Sequence, residues 1–374
     1  MIYIHVPFCV SRCIYCDFYS TVQSAEMRTL YVEAACQELK NRINYLPDNN
    51  INTIYFGGGT PSQLTLAQLS TLLKTIHTHY NIHPQAEITL EANPDDINPT
   101  YVSELIKLGI NRISLGVQSF DDETLRLLRR RHNASQARQA VNTIVETGIN
   151  NVSIDLIYGL PYQTESQFAK DLNQAFALPI THLSTYALSV EPHTALSQML
   201  EQKRLQLPTE DTVISEYNLL MEQAAAHGFE HYEISNFALP HYHSRHNSGY
   251  WDGTPYLGIG PGAHSYDGKM QRRYNLPDLK AYVAAPGNPH HEVEKLTTAN
   301  CFDELVFTSL RTQRGLDLNR LKQTFGSDWH DELLRAARPH ILSHHLIITD
   351  NNRLCLSPQA IMISDDIMSD LMRG

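Results

Sequence analysis

The chain has 374 residues, with 29 Lys and Arg against 40 Asp and Glu, and a net charge of −11 with histidine neutral. That balance excludes broad binding along a nucleic-acid backbone, which needs a basic face. The length points to one large domain and a smaller one. No apolar run is long enough to span a bilayer, and six cysteines without a signal peptide are expected in a reducing cytosol.

The first predicted strand, Ile2–Val6, runs into Pro7-Phe8-Cys9-Val10-Ser11-Arg12-Cys13-Ile14-Tyr15-Cys16. The C-x₃-C-x₂-C spacing puts three thiolates on one short loop, close enough to hold three corners of an iron–sulfur cube. A [4Fe–4S] cluster ordinarily takes four thiolates. With three, one iron keeps a position open for another ligand, as a three-ligand zinc site does. A structural zinc site is the competing reading, but no Cys or His pair follows within the next dozen residues. Cys36, Cys301 and Cys355 are scattered and read as ordinary thiols.

Downstream, β-rich runs alternate with amphipathic ones. Predicted helix Ala25–Ile43 precedes strand Thr53–Phe56, which ends in Gly57-Gly58-Gly59-Thr60-Pro61. Helix Leu66–Tyr80 carries Leu66, Leu69, Leu72, Leu73 and Ile76 on one face. Strand Glu87–Leu90 ends at Glu91, helix Pro99–Leu108 follows, and strand Arg112–Val117 ends at Gln118. Helix Asp121–Leu128 leads to Arg130 in a basic run, then helix Ser135–Thr147 to strand Asn151–Ile157 with Asp155. Helix Thr164–Leu178 and strand His182–Leu188 complete the series. The alternation predicts an α/β fold of parallel strands with helical crossovers, a partial (β/α)6 barrel, with an open doubly wound sheet as the alternative. In a barrel the carboxyl ends of the strands meet on one face. The cysteine loop, the glycine run, Glu91, Gln118 and Asp155 would then share one mouth. Each also has a plain reading: a tight turn, a solvated carboxylate, a buried polar group with a local partner, or, for the arginine run, a solvated helix face.

Gly258-Ile259-Gly260-Pro261-Gly262 reads as a turn lining the mouth and not as a dinucleotide motif. After Pro286-Gly287-Asn288-Pro289 the alternation stops. Helices are predicted at Cys301–Arg311, Leu318–Phe325 and Trp329–His340, strands at Leu346–Thr349 and Leu354–Leu356, and a terminal helix from Pro358 to Met372. Three helices and a hairpin suggest a mainly helical, winged-helix-like module. The expected division is 1–236 for the barrel, 237–288 for a connecting segment and 289–374 for the C-terminal module.

Taken together, the cysteine loop and Tyr3-Ile4-His5-Val6-Pro7-Phe8-Cys9, Gly57–Pro61, Glu91, Gly116–Phe120, Asp155–Pro161 and His246–Trp251 resemble the radical S-adenosylmethionine (SAM) superfamily along the whole chain. Within it they are most similar to haem chaperones of the coproporphyrinogen-oxidase branch. The resemblance implies a [4Fe–4S] cluster on Cys9, Cys13 and Cys16, with SAM chelating the fourth iron. It implies SAM contacts at Tyr3, Tyr15, Gly58, Gly59, Thr60, Glu91, Gln118, Arg130 and Asp155, the last three belonging to a second SAM in the oxidase branch. His246-Asn247-Ser248-Gly249-Tyr250-Trp251 matches the haem motif of the chaperones, with His246 as axial ligand and Asn247, Tyr250 and Trp251 around the macrocycle. From chemistry alone His246 is as readily a structural histidine, and His241 with His243 could hold zinc.

Two departures separate the chain from the oxidases, which carry a further cysteine where Phe18 stands and an N-terminal extension ahead of the position of Met1. The expected function is a haem chaperone that delivers haem to acceptor haemoproteins and draws on an electron donor. A coproporphyrinogen III oxidase and a radical methyltransferase are the alternatives. No catalytic residue is assigned, no nucleic-acid partner is expected, and peripheral membrane contact and homodimerisation stay open.

Overall fold

The computed structural model describes residues 1–373. Strands β1 (Ile2–Val6), β2 (Asn50–Gly58), β3 (Asn81–Ala92), β4 (Arg112–Gln118), β5 (Asn151–Tyr158) and β6 (His182–Ala187) are parallel, each paired with the next in sequence. A doubly wound sheet reverses its strand order at a switch point. Here the order never reverses, so right-handed crossovers place every helix on the same side and the sheet curls as a partial barrel.

Side chains alternate faces along a strand, and in this chain the two faces differ sharply in chemistry. Ile4, Ile54, Phe56, Ile88, Leu90, Ile113, Leu115, Val152 and Ile154 lie in the main apolar core beneath the helices. The intervening residues Tyr3, Tyr55, Glu91, Arg112, Ser114, Asp155, His182 and Ser184 line an interior cavity. A full eight-stranded barrel is usually filled by branched apolar side chains; this interior is polar.

Helices α1 (Ala25–Asn41), α2 (Leu66–His79), α3 (Pro99–Lys107), α4 (Asp122–Leu127), α5 (Ala134–Thr147) and α6 (Glu165–Phe176) lie between the strands in sequence. In α2 Thr65 and Gln68 form a reciprocal cap, and Leu69, Leu72, Leu73 and Ile76 are the buried stripe. The same cap recurs at Asn133/Gln136 and Thr164/Gln167, fixing where each loop ends and its helix begins.

Beyond α7 (Ala195–Glu201) and α8 (Glu210–Ala226), the hairpin β7 (Glu230–Glu233) and β8 (Asn236–Ala238) adds antiparallel to β6. Helix α9 (Arg245–Trp251) then packs at the amino ends of the strands, where the N–H groups of Arg245 and His246 each donate to Glu87 at 3.0 Å. The carboxylate satisfies backbone donors that a helix start leaves free. Strand β9 (Leu257–Ile259) pairs in parallel with the free edge of β1. A small sheet of β10 (His264–Tyr266), β11 (Gln271–Asn275) and β12 (His291–Lys295), with α10 (Leu279–Ala284), is tied to α1 by the buried pair Glu38–Arg42 at 3.0 Å. Asn275 and Tyr282 donate to Glu38, and Arg42 donates to Ser265.

The last elements are α11 (Thr298–Leu310), β13 (Leu316–Asp317), α12 (Leu318–Phe325), α13 (Ser327–Leu342), β14 (Leu346–Ile348), β15 (Arg353–Leu356) and α14 (Ser364–Leu371). They enclose a separate core that includes Phe302, Val306, Leu321, Leu333, Leu354 and Ile367. Among the described residues no helix is long and apolar enough to cross a membrane.

Three expectations need correction. Strand β3 starts at Asn81, six residues before the predicted Glu87, because its exposed first half carries Pro84 and polar residues that hide the strand pattern. The predicted terminal helix is a 3₁₀ segment, Pro358–Ile363, followed by α14. Gly258 and Ile259 belong to β9, and none of Gly258–Gly262 lines the mouth. A Cβ on Gly258 would stand 2.0 Å from the His264 carbonyl oxygen, and one on Gly260, at φ 108°, 2.5 Å from that of His5. These glycines let main chains approach; they are not a ligand loop.

Leu115 is fully buried on the apolar face of β4. Leu115→Ala is expected to cost about 2–5 kcal/mol of stability, read as a lower midpoint in denaturant unfolding.

Candidate functional site

The cysteine loop leaves β1 and returns to it. Cys9 N–H donates to Thr21 O at 3.1 Å, and Thr21 N–H to Pro7 O at 2.8 Å. The glycine run after β2 holds the same segment: Gly59 N–H donates to Val6 O at 2.9 Å and Thr60 N–H to Phe8 O at 2.7 Å. A Cβ on Gly59 would meet Phe8 O at 2.8 Å. Between the cysteines, Ile14 is buried against Leu128, Leu160 and Leu196 and anchors the loop to the opposite wall.

Cys9, Cys13 and Cys16 are free and partly exposed. Thr60 Oγ1 donates to Cys9 Sγ at 3.5 Å, and Arg130 Nη1 to Cys13 Sγ at 3.3 Å. Arg130 Nη2 also donates to Asn93 Oδ1 at 2.6 Å and to the Gly116 carbonyl. A permanent cation is thereby fixed against one of three sulfurs. Burial pushes the Cys16 thiol up to about 11 when no metal competes for it. Among the described residues no group of three or more His, Cys, Asp or Glu side chains is arranged to hold a single metal ion. All three thiols face one cavity, as three corners of an iron–sulfur cube require.

That cavity, at the mouth of the barrel, has a volume of about 360 Å³. It is lined by all three cysteines and by Tyr15, Gly58, Gly59, Thr60, Glu91, Gln118, Arg130 and Asp155, so every expected SAM contact except Tyr3 is there. Gln118 holds a left-handed φ of 70°, and its amide passes 2.9 Å from where a Gly116 Cβ would be. Such strain in a non-glycine residue is concentrated at functional sites. Glu91 accepts from Tyr55 OH at 2.8 Å and from Gly58 N–H at 3.2 Å, yet burial raises its carboxyl to about 7. Asp155 accepts from Ser114 at 3.2 Å and is raised, again chiefly by burial, to about 6.

Below lies an inner cavity of about 200 Å³, which shares Glu91, Ser114, Asp155 and Tyr186 with the mouth. Tyr3 lines this inner space, its hydroxyl 3.1 Å from His5 Nδ1. So do His246, Asn247 and Tyr250, on the floor helix α9.

The expectation of His246 as an axial haem ligand meets a physical obstacle. Its ring is 2% exposed, Nδ1 lies 2.7 Å from Thr53 Oγ1, Nε2 lies 3.0 Å from Tyr250 OH, and the ring stacks on Tyr55. Burial lowers its pKa to about 3, so it is neutral, but neither nitrogen is free. The space before it is below the roughly 300–1,000 Å³ of drug-sized ligand pockets, too small for a tetrapyrrole. In this structure His246 sits on the floor helix with both ring nitrogens hydrogen-bonded. Trp251 points the other way, under Arg311 of the C-terminal module at 5.4 Å. His243 pairs with Glu230 at 2.7 Å and stacks on Tyr232.

Sequence reading passed over Arg112, His182, Ser184, Tyr186 and Asn236, all of which line the inner cavity. The available signal was the polar member of each alternating pair in β4 and β6. Phe18, 62% exposed, sits on the mouth rim with Val10 and Tyr186.

A model of the radical SAM superfamily matches residues 3–175, and one of the HemN C-terminal domain matches residues 298–363. The chain is 32% identical to "Heme chaperone HemW" of Lactococcus lactis over 371 residues, covering 99% of this chain and 96% of that protein. It is 33% identical to the protein of the same name in Bacillus subtilis, covering 98% and 97%. The structure described as Coproporphyrinogen III oxidase (HemN) from Escherichia coli, a radical SAM enzyme, superposes with a TM-score of 0.86 at 25% identity, covering 100% of this chain and 89% of the other.

The Glu91 carboxyl yields a test. Its folded pKa of about 7 lies above the ordinary 4.5, so between those values the folded state keeps a proton that the unfolded chain releases. Its contribution to stability is full below the ordinary value and is lost as pH rises through about 7. Glu91→Gln should flatten the fall in melting temperature between about pH 4.5 and 7.5; an unchanged slope would contradict the assignment.

Proposed function

The chain belongs to the radical SAM superfamily and, within it, to the HemW haem-chaperone family, and on that premise we propose that it binds a cluster, SAM and haem and delivers haem to acceptor haemoproteins. The observation that carries this reading is the convergence of three unpaired thiols and the polar ends of the strands on one mouth cavity. Cys9, Cys13 and Cys16 would hold three irons of a [4Fe–4S] cluster and leave the fourth to the amine and carboxylate of SAM. Gly58, Gly59 and Thr60 would flank the methionyl end, Glu91 the ribose and Tyr15 the adenine. Gln118, Arg130 and Asp155 line the same cavity and are the groups available to a second SAM. When bound, the cluster supplies a one-electron donor, replenished by a separate electron donor.

Haem, as cargo, is taken up at the rim, where Val10, Phe18 and Tyr186 expose apolar surface. His246 serves the barrel floor. The division into barrel, connecting segment and tail at 1–236, 237–288 and 289–374 gives the tail the role of meeting the acceptor. A reducing compartment such as the cytosol suits the free thiols.

A second reading, oxidative decarboxylation of coproporphyrinogen III, is favoured by the superposition on the oxidase. Phe18, standing where the oxidases carry a further cysteine, speaks for the carrier.

Anaerobic reconstitution is expected to give about four irons and four sulfides per chain. Loss of any one of Cys9, Cys13 or Cys16 should abolish the cluster, whereas Cys36→Ala should not. Protein reduced with SAM is expected to yield no protoporphyrinogen from coproporphyrinogen III; sustained turnover would replace the carrier reading by the oxidase.

Haem titration separates the two candidate haem surfaces. Phe18→Asp should weaken binding, and His246→Ala should leave the Soret shift unchanged while lowering the melting temperature. The opposite pattern would return His246 to the haem site.

A further inference from the structure

We propose that the inner barrel cavity is a binding site for a carboxylate, seated on Arg112, beneath the mouth and adjoining the SAM positions through Glu91 and Asp155. Arg112 opens β4, is 2% exposed, and lines the cavity. Its Nε has no hydrogen-bond partner. Among the described residues it takes part in no ion pair. A buried charge is ordinarily paired, because leaving it uncompensated costs several kcal/mol. The nearest acids are already engaged: Glu91 by Tyr55 and Gly58, Asp155 by Ser114.

The remaining wall is polar, but the Tyr55 hydroxyl donates to Glu91 and the Tyr250 hydroxyl is bonded to His246, so the Arg112 guanidinium is the donor left to a ligand. Burial raises Glu91 to about 7 and keeps His182 and His246 neutral, so among the described residues Arg112 is the one permanent cation on the cavity wall, with Asp155, raised to about 6, beside it. A guanidinium fork matches a planar carboxylate bidentately. A phosphate dianion would face two carboxyl groups at close range, whereas a monoanionic carboxylate can share a proton with one of them.

The carboxylate has two sources: a separate small acid that passes the mouth, or an acidic arm of a larger ligand such as a porphyrin. The site itself does not rest on the haem reading.

The test uses the full, cluster-reconstituted chain. Propionate should raise the melting temperature by about 2 °C at tenfold excess over its Kd, and propionamide and inorganic phosphate should not. The rise should persist in part in Arg112→Lys and vanish in Arg112→Gln. Equal responses to propionate, its amide and phosphate, or no response to any, would overturn the proposal, and this comparison needs no variant to fold. An undiminished response in Arg112→Gln would also overturn it. Haemin and its dimethyl ester then separate the sources. Weaker binding of the ester, with the gap closed in Arg112→Gln, assigns the site to the porphyrin arm. Equal binding of both, with the propionate response intact, assigns it to a small acid. Loss of all haem binding with that response intact would remove the carrier reading and leave this site standing.

Discussion

A polar surface folded inward is the constraint on which the rest of this structure depends. Burying hydroxyls, imidazoles and carboxyls is tolerable only when each finds a partner. The barrel wall supplies partners from strand to strand: Ser114 to Asp155, Tyr55 to Glu91, Thr53 to His246, and Ser153 and Tyr232 to the two nitrogens of His182. Each bond joins side chains from different elements. Register and interior chemistry are thus one problem, since a slip by one residue would turn the apolar face into the lumen. Arg112 Nε is among the buried wall atoms this pairing leaves without a partner.

The mouth follows from the same economy of partners. One main-chain bond joins the cysteines, from Cys16 N–H to Cys13 O at 3.4 Å, and most of the loop's support comes from elsewhere. Main-chain bonds from the glycine run hold Phe8, the Ile14 side chain pins the far side, and Arg130 ties Cys13 to Asn93 and β4. The loop is thereby shaped by residues that carry no metal chemistry, and a ligand set built this way needs little rearrangement on loading.

Much of this was legible in the sequence because the relevant signals are local. Cysteine spacing, a glycine run and polar residues at strand ends lie within a few positions of one another, and helix α2 announces itself by its cap and its leucines. The floor was not legible. Strands β7, β8 and β9 have three or four residues each, too few for a period to show, and β8 and β9 join the sheet through partners distant in sequence. The resemblance points to His246 as a haem ligand, while its local composition alone reads as structural; what no local pattern could show is that Thr53 and Tyr250 sit on its two nitrogens. Arg112 passed as the first residue of an apolar strand, since burial of a cation without a partner has no sequence signature.

The pairing of Ile2 with Leu257 and Ile4 with Ile259 makes β1 an interior strand whose second neighbour is about 255 residues away. On a ribosome adding 5–20 residues per second, that neighbour appears on the order of tens of seconds after β1 itself. During that interval the barrel has one wall unclosed, and the cysteine loop, already linked to β2, hangs at the open side. The order of synthesis therefore leaves one edge of β1 without its partner until Leu257–Ile259 have been made.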